Sequence, residues 1–290
     1  MKINFVKINK ITILISTLLC IISMCYILKY NFNLGLEFTG GIEIELESNN
    51  KIDILEIKNK LTNIKNIKIK YYGSKKNIQI KIKNTNENID NVVNIIKTQL
   101  QNEIKLVKIN YIGAEVNKET VKNSITAIII ALLSMILYLT YRFKYKLALS
   151  ATLTLLHDII LISGIISFFK LEVDLTTLSA IFAIFGYSIN DTVVIFDRLR
   201  EYSNIYKNKW TLEKIINVSI NSTLSRTIIT SISTLLVAII LIIFSGEYLF
   251  NFSLILALGI VIGTYSSIYI STTPLLILKY LKTVNKIKNL

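Results

Sequence analysis

Apolar residues fall into six long blocks, at about 11–28, 125–141, 147–169, 175–196, 227–244 and 250–278. Each is 17 or more residues long, the length at which an apolar run reads as a transmembrane helix and not as part of a soluble core. The last block is the longest and is expected to tilt or to include interfacial turns. Pro274 falls near its far end, where a missing N–H does little damage, and Gly259 and Gly263 form a small-xxx-small pair suited to close helix packing. The first block is too long for a cleaved leader and lacks a small-x-small cleavage site, so it reads as a retained anchor.

Between the first two blocks, over residues 30–120, charges return and the period shortens. Ile42, Ile44 and Leu46 alternate with Glu43, Glu45 and Glu47, which predicts a half-buried strand. Helical spacing follows over 52–61. Two strands are then predicted at 67–72 and 78–82, joined around 73–77, with Ile78, Ile80 and Ile82 on one face. An amphipathic helix follows over 89–100 and a last strand over 104–112. The order β-α-β-β-α-β is that of a ferredoxin-like domain. The fold class is therefore an α-helical membrane protein with six transmembrane helices and a small α+β ferredoxin-like extracytoplasmic domain. Its divisions are 1–29 (N-terminus and first span), 30–120 (α+β domain), 121–278 (five further spans) and 279–290 (tail).

Composition adds the orientation. Of 290 residues 52% are hydrophobic, and the net charge is +14. The basic residues are not scattered. Segments 1–10, 142–146, 197–227 and 279–290 hold sixteen Lys and Arg, whereas the short loops 170–174 and 245–249 hold only Lys170. By the positive-inside rule both termini lie in the cytoplasm and the 30–120 domain lies outside. Topology thus accounts for the positive charge, and a nucleic-acid role loses its support. The single histidine excludes a multi-His zinc site, and no GxxxxGK[ST] phosphate loop occurs. No cofactor and no enzymatic activity are expected. Cys20 and Cys25 lie five apart on the first span, a spacing that yields neither an intrahelical disulfide nor a metal site.

The candidate chemistry lies in the spans. A carboxylate at membrane depth costs about 2.5–3.5 kcal/mol on insertion scales, so it marks a function or a specific partner. Asp191, beside Asn190, sits sixteen residues into the fourth span, with Tyr187 and Arg198 at positions sharing its face. The small residues Gly186 and Ser188 permit another helix to approach. On the fifth span Thr223, Arg226, Thr227, Thr230, Ser233 and Thr234 form a polar stripe that can carry ordered water and a proton, with Arg226 a candidate counter-charge for Asp191. The stripe can equally be hydroxyls bonded back to their own helix, with Arg226 reaching for headgroups. His157–Asp158 lies near mid-depth of the third span. Histidine titrates near neutral pH and could join a relay. Adjacent helical residues point about 100° apart, so the two are not expected to form a dyad by themselves.

Four segments together resemble the SecD/SecF family of protein-export membrane proteins. They are GLEFTGG at 35–41, carrying Gly35, Phe38, Thr39, Gly40 and Gly41; GYSINDTVVIFDRLR at 186–200, carrying Gly186, Asp191, Asp197 and Arg198; TLSRTIITS at 223–231; and the His157–Asp158 pair. They occur in the family's order and topology across nearly the whole chain, and the fourth-span segment has the SecF-type form. The resemblance implies an arrangement like that of the RND superfamily, in a bacterial inner membrane. It implies pairing with SecD as a heterodimer and association with the SecYEG channel and YajC. The family uses the proton-motive force to assist late polypeptide export after the SecA ATPase has acted. Proton passage is implied for Asp191 and Arg226, with a further acidic residue contributed by SecD. Glu37 stands where the family's motif has Asp, which puts a tight-turn role for that side chain in doubt.

Two other readings stand beside this one. Half of an RND-type proton-driven small-molecule exporter is possible in principle, although the chain has one small domain where such pumps carry two large ones. A non-transporting scaffold would leave the intramembrane charges dispensable.

Overall fold

The computed structural model describes residues 3–48, 51, 53–61, 67–72, 74–83, 94, 96, 98, 104–206 and 209–279. Six helices in it are long and apolar enough to cross a membrane. The first is α1 (Phe5–Tyr30). A short strand β1 (Asn33–Leu34), a one-turn helix α2 (Leu36–Thr39) and the α+β region follow. The remaining long helices are α4 (Ala114–Arg142), α5 (Tyr145–Phe168), α6 (Leu175–Ile205), α7 (Leu212–Phe244) and α8 (Gly246–Tyr265). The last span continues beyond α8 through a π-helical turn, Ser266–Ile270, into residues up to Lys279.

Three boundaries differ from expectation. Segment 197–227, expected as a loop, is mostly helix: α6 runs on to Ile205, and α7 starts at Leu212, capped by the Thr211 hydroxyl. Helix α4 begins eleven residues before the apolar block it carries. The reason is common to all three extensions. No Gly or Pro interrupts these stretches, and a helix started inside the bilayer continues into water until something stops it. Beyond the bilayer α6 is laced by surface pairs, Arg198–Glu201 (2.7 Å) and Arg200–Asp197 (3.8 Å). Asp197 also holds Arg142 at the end of α4 (3.0 Å). The last span, expected to tilt or to include interfacial turns at its ends, instead holds a π-helical turn in its interior. Pro274 follows that turn at the start of the resumed helix, where its missing N–H is no loss.

The α+β region carries β2 (Gly41–Ser48), α3 (Ile54–Lys60), β3 (Ile67–Tyr72), β4 (Ser74–Lys83) and β5 (Ile104–Ile112). The strands form one antiparallel sheet in the order β3-β4-β2-β5. Ile42, Ile44, Leu46, Ile78, Ile80 and Ile82 are buried on one face, as their alternation predicts, and pack with Ile57 and Leu61. The expected loop 73–77 is shorter than predicted. Strand β4 starts at Ser74, and a register shift after Tyr71 absorbs the extra residues. The helix expected over 89–100 lies outside the described residues except for Asn94, Ile96 and Thr98; these are helical, and Ile96 joins the buried cluster.

In the membrane region polarity is sorted inside out. Helix α1 exposes Ile11, Leu14, Leu18 and Ile22 and buries Asn9, Thr12, Ser16 and Ser23. Its apolar residues are left for lipid, and its small polar ones meet α5 and the last span. Tyr265 ties this seam together: its hydroxyl donates to the Thr12 carbonyl (3.1 Å) and lies 3.1 Å from Ser16 Oγ. Close approach depends on small residues. A Cβ on Gly164 would collide with Ser23, backbone included, and one on Gly259 would collide with buried Ile184. Gly263 lies against Ser188, 3.2 Å from its Cβ. The pair at 259 and 263 thus packs α8 onto α6. Gly186 has nothing within 4 Å of its missing Cβ.

This contrast is testable. Gly164→Leu is expected to destabilise the purified protein by about 1–3 kcal/mol, as overpacking does. Gly186→Leu should change stability by no more than about 0.5 kcal/mol, the range of an uncontacted site. Thermal unfolding in detergent of the two variants side by side checks both.

Candidate functional site: charged groups inside the helix bundle

Asp191 is only 3% exposed, and its Oδ2 has no hydrogen-bond partner among the described residues. Helices α6 and α7 are antiparallel neighbours, pinned where the Tyr187 hydroxyl donates to Ser231 Oγ (2.8 Å). One turn further along each helix, toward their connecting turn, are Asp191 and Thr227. The pinned contact therefore sets these two at the same level. Thr227 Oγ1 is also buried without a partner. Two unsatisfied oxygens thus fall on one helix pair. The sequence pointed to Asp191 but gave Thr227 no special place in its stripe. Only the pairing of the helices singles it out.

The other expected members are arranged differently from the prediction. Arg226 is exposed on α7, close enough for its charge to act on Asp191, but makes no ion pair with it within 4 Å. Asn190 and Gly186 are exposed on α6. The hydroxyl stripe does not form a chain toward Asp191. Thr230 bonds back to the Arg226 and Thr227 carbonyls, Thr234 to Thr230, Ser233 to Ile229 and Thr223 to Ser219. A hydroxyl flanked by its own helix carbonyls takes the nearest acceptor when the bilayer offers none. Nor does Arg198 extend the Asp191 face; it pairs with Glu201 at the helix surface.

In a second cluster the carboxylate is fully partnered. Asp158, 1% exposed, accepts bonds from Ser188 Oγ on α6 (2.5 Å) and from Ser266 Oγ at the start of the π turn (2.8 Å). Its other oxygen lies 2.9 Å from His157 Nδ1. The two adjacent side chains meet after all, across the 100° separation of neighbouring helical positions. If Nδ1 carries the proton, Nε2 is an acceptor, and it is buried with no partner. Sequence reasoning missed Ser188's bond, Ser266 and the π turn. Nothing in an apolar run of 29 residues announces where a helix will loosen by one residue. The polar face of α1 was legible in principle, since residues 9, 12, 16 and 23 recur at helical spacing.

The motif at 35–41 is a joint between α1, the sheet and the connection from α5 to α6. That connection contains the two-residue strand β6 (Glu172–Val173), which pairs in parallel with β1. The Gly35 N–H donates to the Val173 carbonyl (2.7 Å). Thr39 Oγ1 closes α2 onto the Gly35 carbonyl (3.0 Å), and Phe38 is half-buried in the same turn. Gly40 and Gly41 have φ of 71° and 142°, and a Cβ on Gly41 would strike the Ile82 carbonyl oxygen. Both positions therefore require glycine. The Glu37 carboxylate folds back so that Oε2 lies 2.8 Å from where a Gly35 Cβ would be. Burial, reinforced by Asp174, pushes its carboxyl above the usual value.

Comparison with known proteins agrees with this architecture. Residues 92–282 match the family model described as protein export membrane protein SecD/SecF, C-terminal, and residues 32–51 match the SecD/SecF GG motif. Protein translocase subunit SecF of Rickettsia prowazekii is 36% identical, the match covering 98% of this chain and 93% of that protein. Its counterpart from Pseudomonas aeruginosa is 35% identical over 94% of this chain and 90% of its own length. The crystal structure of SecDF, a translocon-associated membrane protein from Thermus thermophilus, superposes with a TM-score of 0.85 at 26% identity. That match covers 97% of this chain and 39% of the larger SecDF chain. By sequence, by motif and by fold, the chain belongs to the SecF family of protein translocase subunits.

Proposed function

We propose that the chain couples the proton-motive force to late polypeptide export, and that Asp191 is one station of a proton path completed by SecD. The observation that carries this reading is the open, polar side of the bundle. Asp191 is buried with a free oxygen, yet beside it Gly186, Asn190 and Arg226 are exposed at positions within membrane-crossing helices. Arg226 stands at the cytoplasmic end of its span, where an exposed arginine beside a buried carboxylate is suited to a charged partner. An acidic residue on another helix bundle would satisfy it, and the uncovered Gly186 would let that bundle approach. Asp158 is fully partnered, and with His157 it serves this scheme as structure near the path, not as its next station.

The orientation follows from the loop charges: both termini cytoplasmic, the α+β domain on the outer face of a bacterial inner membrane. The domain is read as ferredoxin-like, supported by its antiparallel strand order. SecYEG, with YajC and indirectly SecA, is the expected setting. A proton falling through 100 mV releases about 2.3 kcal/mol, enough to bias a two-state bundle. The exporter reading gains nothing from relatives that are translocase subunits.

Asp191→Asn is expected to leave assembly with SecD intact and to reduce export to the level seen without a proton-motive force, measured in inverted vesicles. Export that still responds to the proton gradient at the wild-type rate would sink the reading. Gly186→Leu, neutral for the fold of this chain, should lower co-purification of SecD about tenfold, a loss of about 1.4 kcal/mol. Unchanged recovery of SecD would place the interface elsewhere.

A further inference from the structure

Glu172 is the most heavily paired carboxylate among the described residues, and it lies in neither intramembrane cluster. It belongs to β6, two residues before Asp174, whose side chain caps α6 by accepting from the Thr177 N–H (2.7 Å). Glu172 is 4% exposed. Three lysines from the polar face of the α+β sheet converge on it: Lys68 of β3 at 2.9 Å, and Lys83 and Lys81 of β4 at 3.6 and 3.9 Å. Lys83 also donates to the Asn33 side chain (3.0 Å) and the Leu34 carbonyl, and Asn33 donates to the Lys170 carbonyl (3.1 Å). Lys81 is shared with Glu43 (3.7 Å). Burial works against the charge on Glu172, but Lys81, Lys68 and Lys83 outweigh it and hold its carboxyl below the usual carboxylate range. Its contribution is therefore complete above that range and is lost only as pH falls through the lowered value.

A cleft of about 630 Å3 separates the polar sheet face from the ends of the membrane helices, with Glu37, Tyr71, Gln79, Asn110, Asp174 and Asn251 among its lining. Glu172 thus ties the sheet ionically to the start of α6, the helix that carries Asp191, alongside the joint at 35–41 and the contact of β3 with α8. Three ammonium groups at graded distances allow the carboxylate to be passed between them as the domain tilts, which an interlocked apolar contact would not permit.

We propose that Glu172 is a positioning residue, an ionic pivot through which movement of α6 reaches the α+β domain. The inference rests on the proton-coupled reading above, but its geometry can be measured with no proton gradient. Spin labels at Gln79→Cys and Asn251→Cys, in a Cys20→Ser, Cys25→Ser background of the full chain with SecD in nanodiscs, report the width of the cleft. Glu172→Gln should broaden and lengthen the distance distribution and lower export about tenfold, because it removes the one carboxylate that holds the three lysines together. Glu172→Asp should keep the narrow distribution and most of the export. Lys68→Gln provides a milder break should Glu172→Gln fold poorly. An unchanged distribution, or a broadened one with wild-type export, overturns the proposal. A failure of Asp191→Asn to affect export would leave the measured pivot standing and remove only its driver.

Discussion

Hydrocarbon supplies no hydrogen bonds, so every polar group in the six spans must be satisfied within the protein or by a partner. This constraint organises the bundle. It turns the hydroxyls of α1 inward and its isoleucines and leucines outward, and it bends most of the hydroxyls of α7 back onto their own carbonyls. It also makes Asp158 a junction at which α5, α6 and the π turn of the last span meet. Where satisfaction is complete, the bundle is closed. At Asp191 and Thr227 it is not, and there the bundle is open beside an exposed arginine; His157 Nε2 and Ser253 Oγ are further buried atoms without a partner among the described residues.

The two buried carboxylates thus illustrate opposite uses of the same expensive group. Asp158 has donors from three residues and acts as a staple. Asp191 keeps a free oxygen, which is what the proposed proton path requires of it. Both lie on or against α6, with Ser188 and Asp191 three residues apart. One helix thus carries the partner of Asp158, Asp191 itself and, at its start, the Asp174 cap next to Glu172.

Much of the fold was legible beforehand. Block length located the six spans, and alternation identified the buried faces of β2 and β4, because burial in lipid and burial against a sheet each impose a period on a single chain. Helix ends were less legible. The extensions of α4, α6 and α7 carry charges that suit water and helix alike, so polarity there could not distinguish a loop from a helix. The motif at 35–41 could be recognised as residues, but its role as a joint could not, because β6 lies well over a hundred residues away.

For the site, the chain's residues determined which groups are costly: Asp191, Asp158, His157 and Arg226 stand out against apolar surroundings by hydration energy alone. Tertiary structure decided which of these costs are met. It joined Asp158 to Ser188 and Ser266, set Thr227 level with Asp191, left Arg226 uncovered, and gathered three lysines onto Glu172. Compensation is a matter of a few ångströms between different helices and strands, and that distance is set by packing, not by position along the chain.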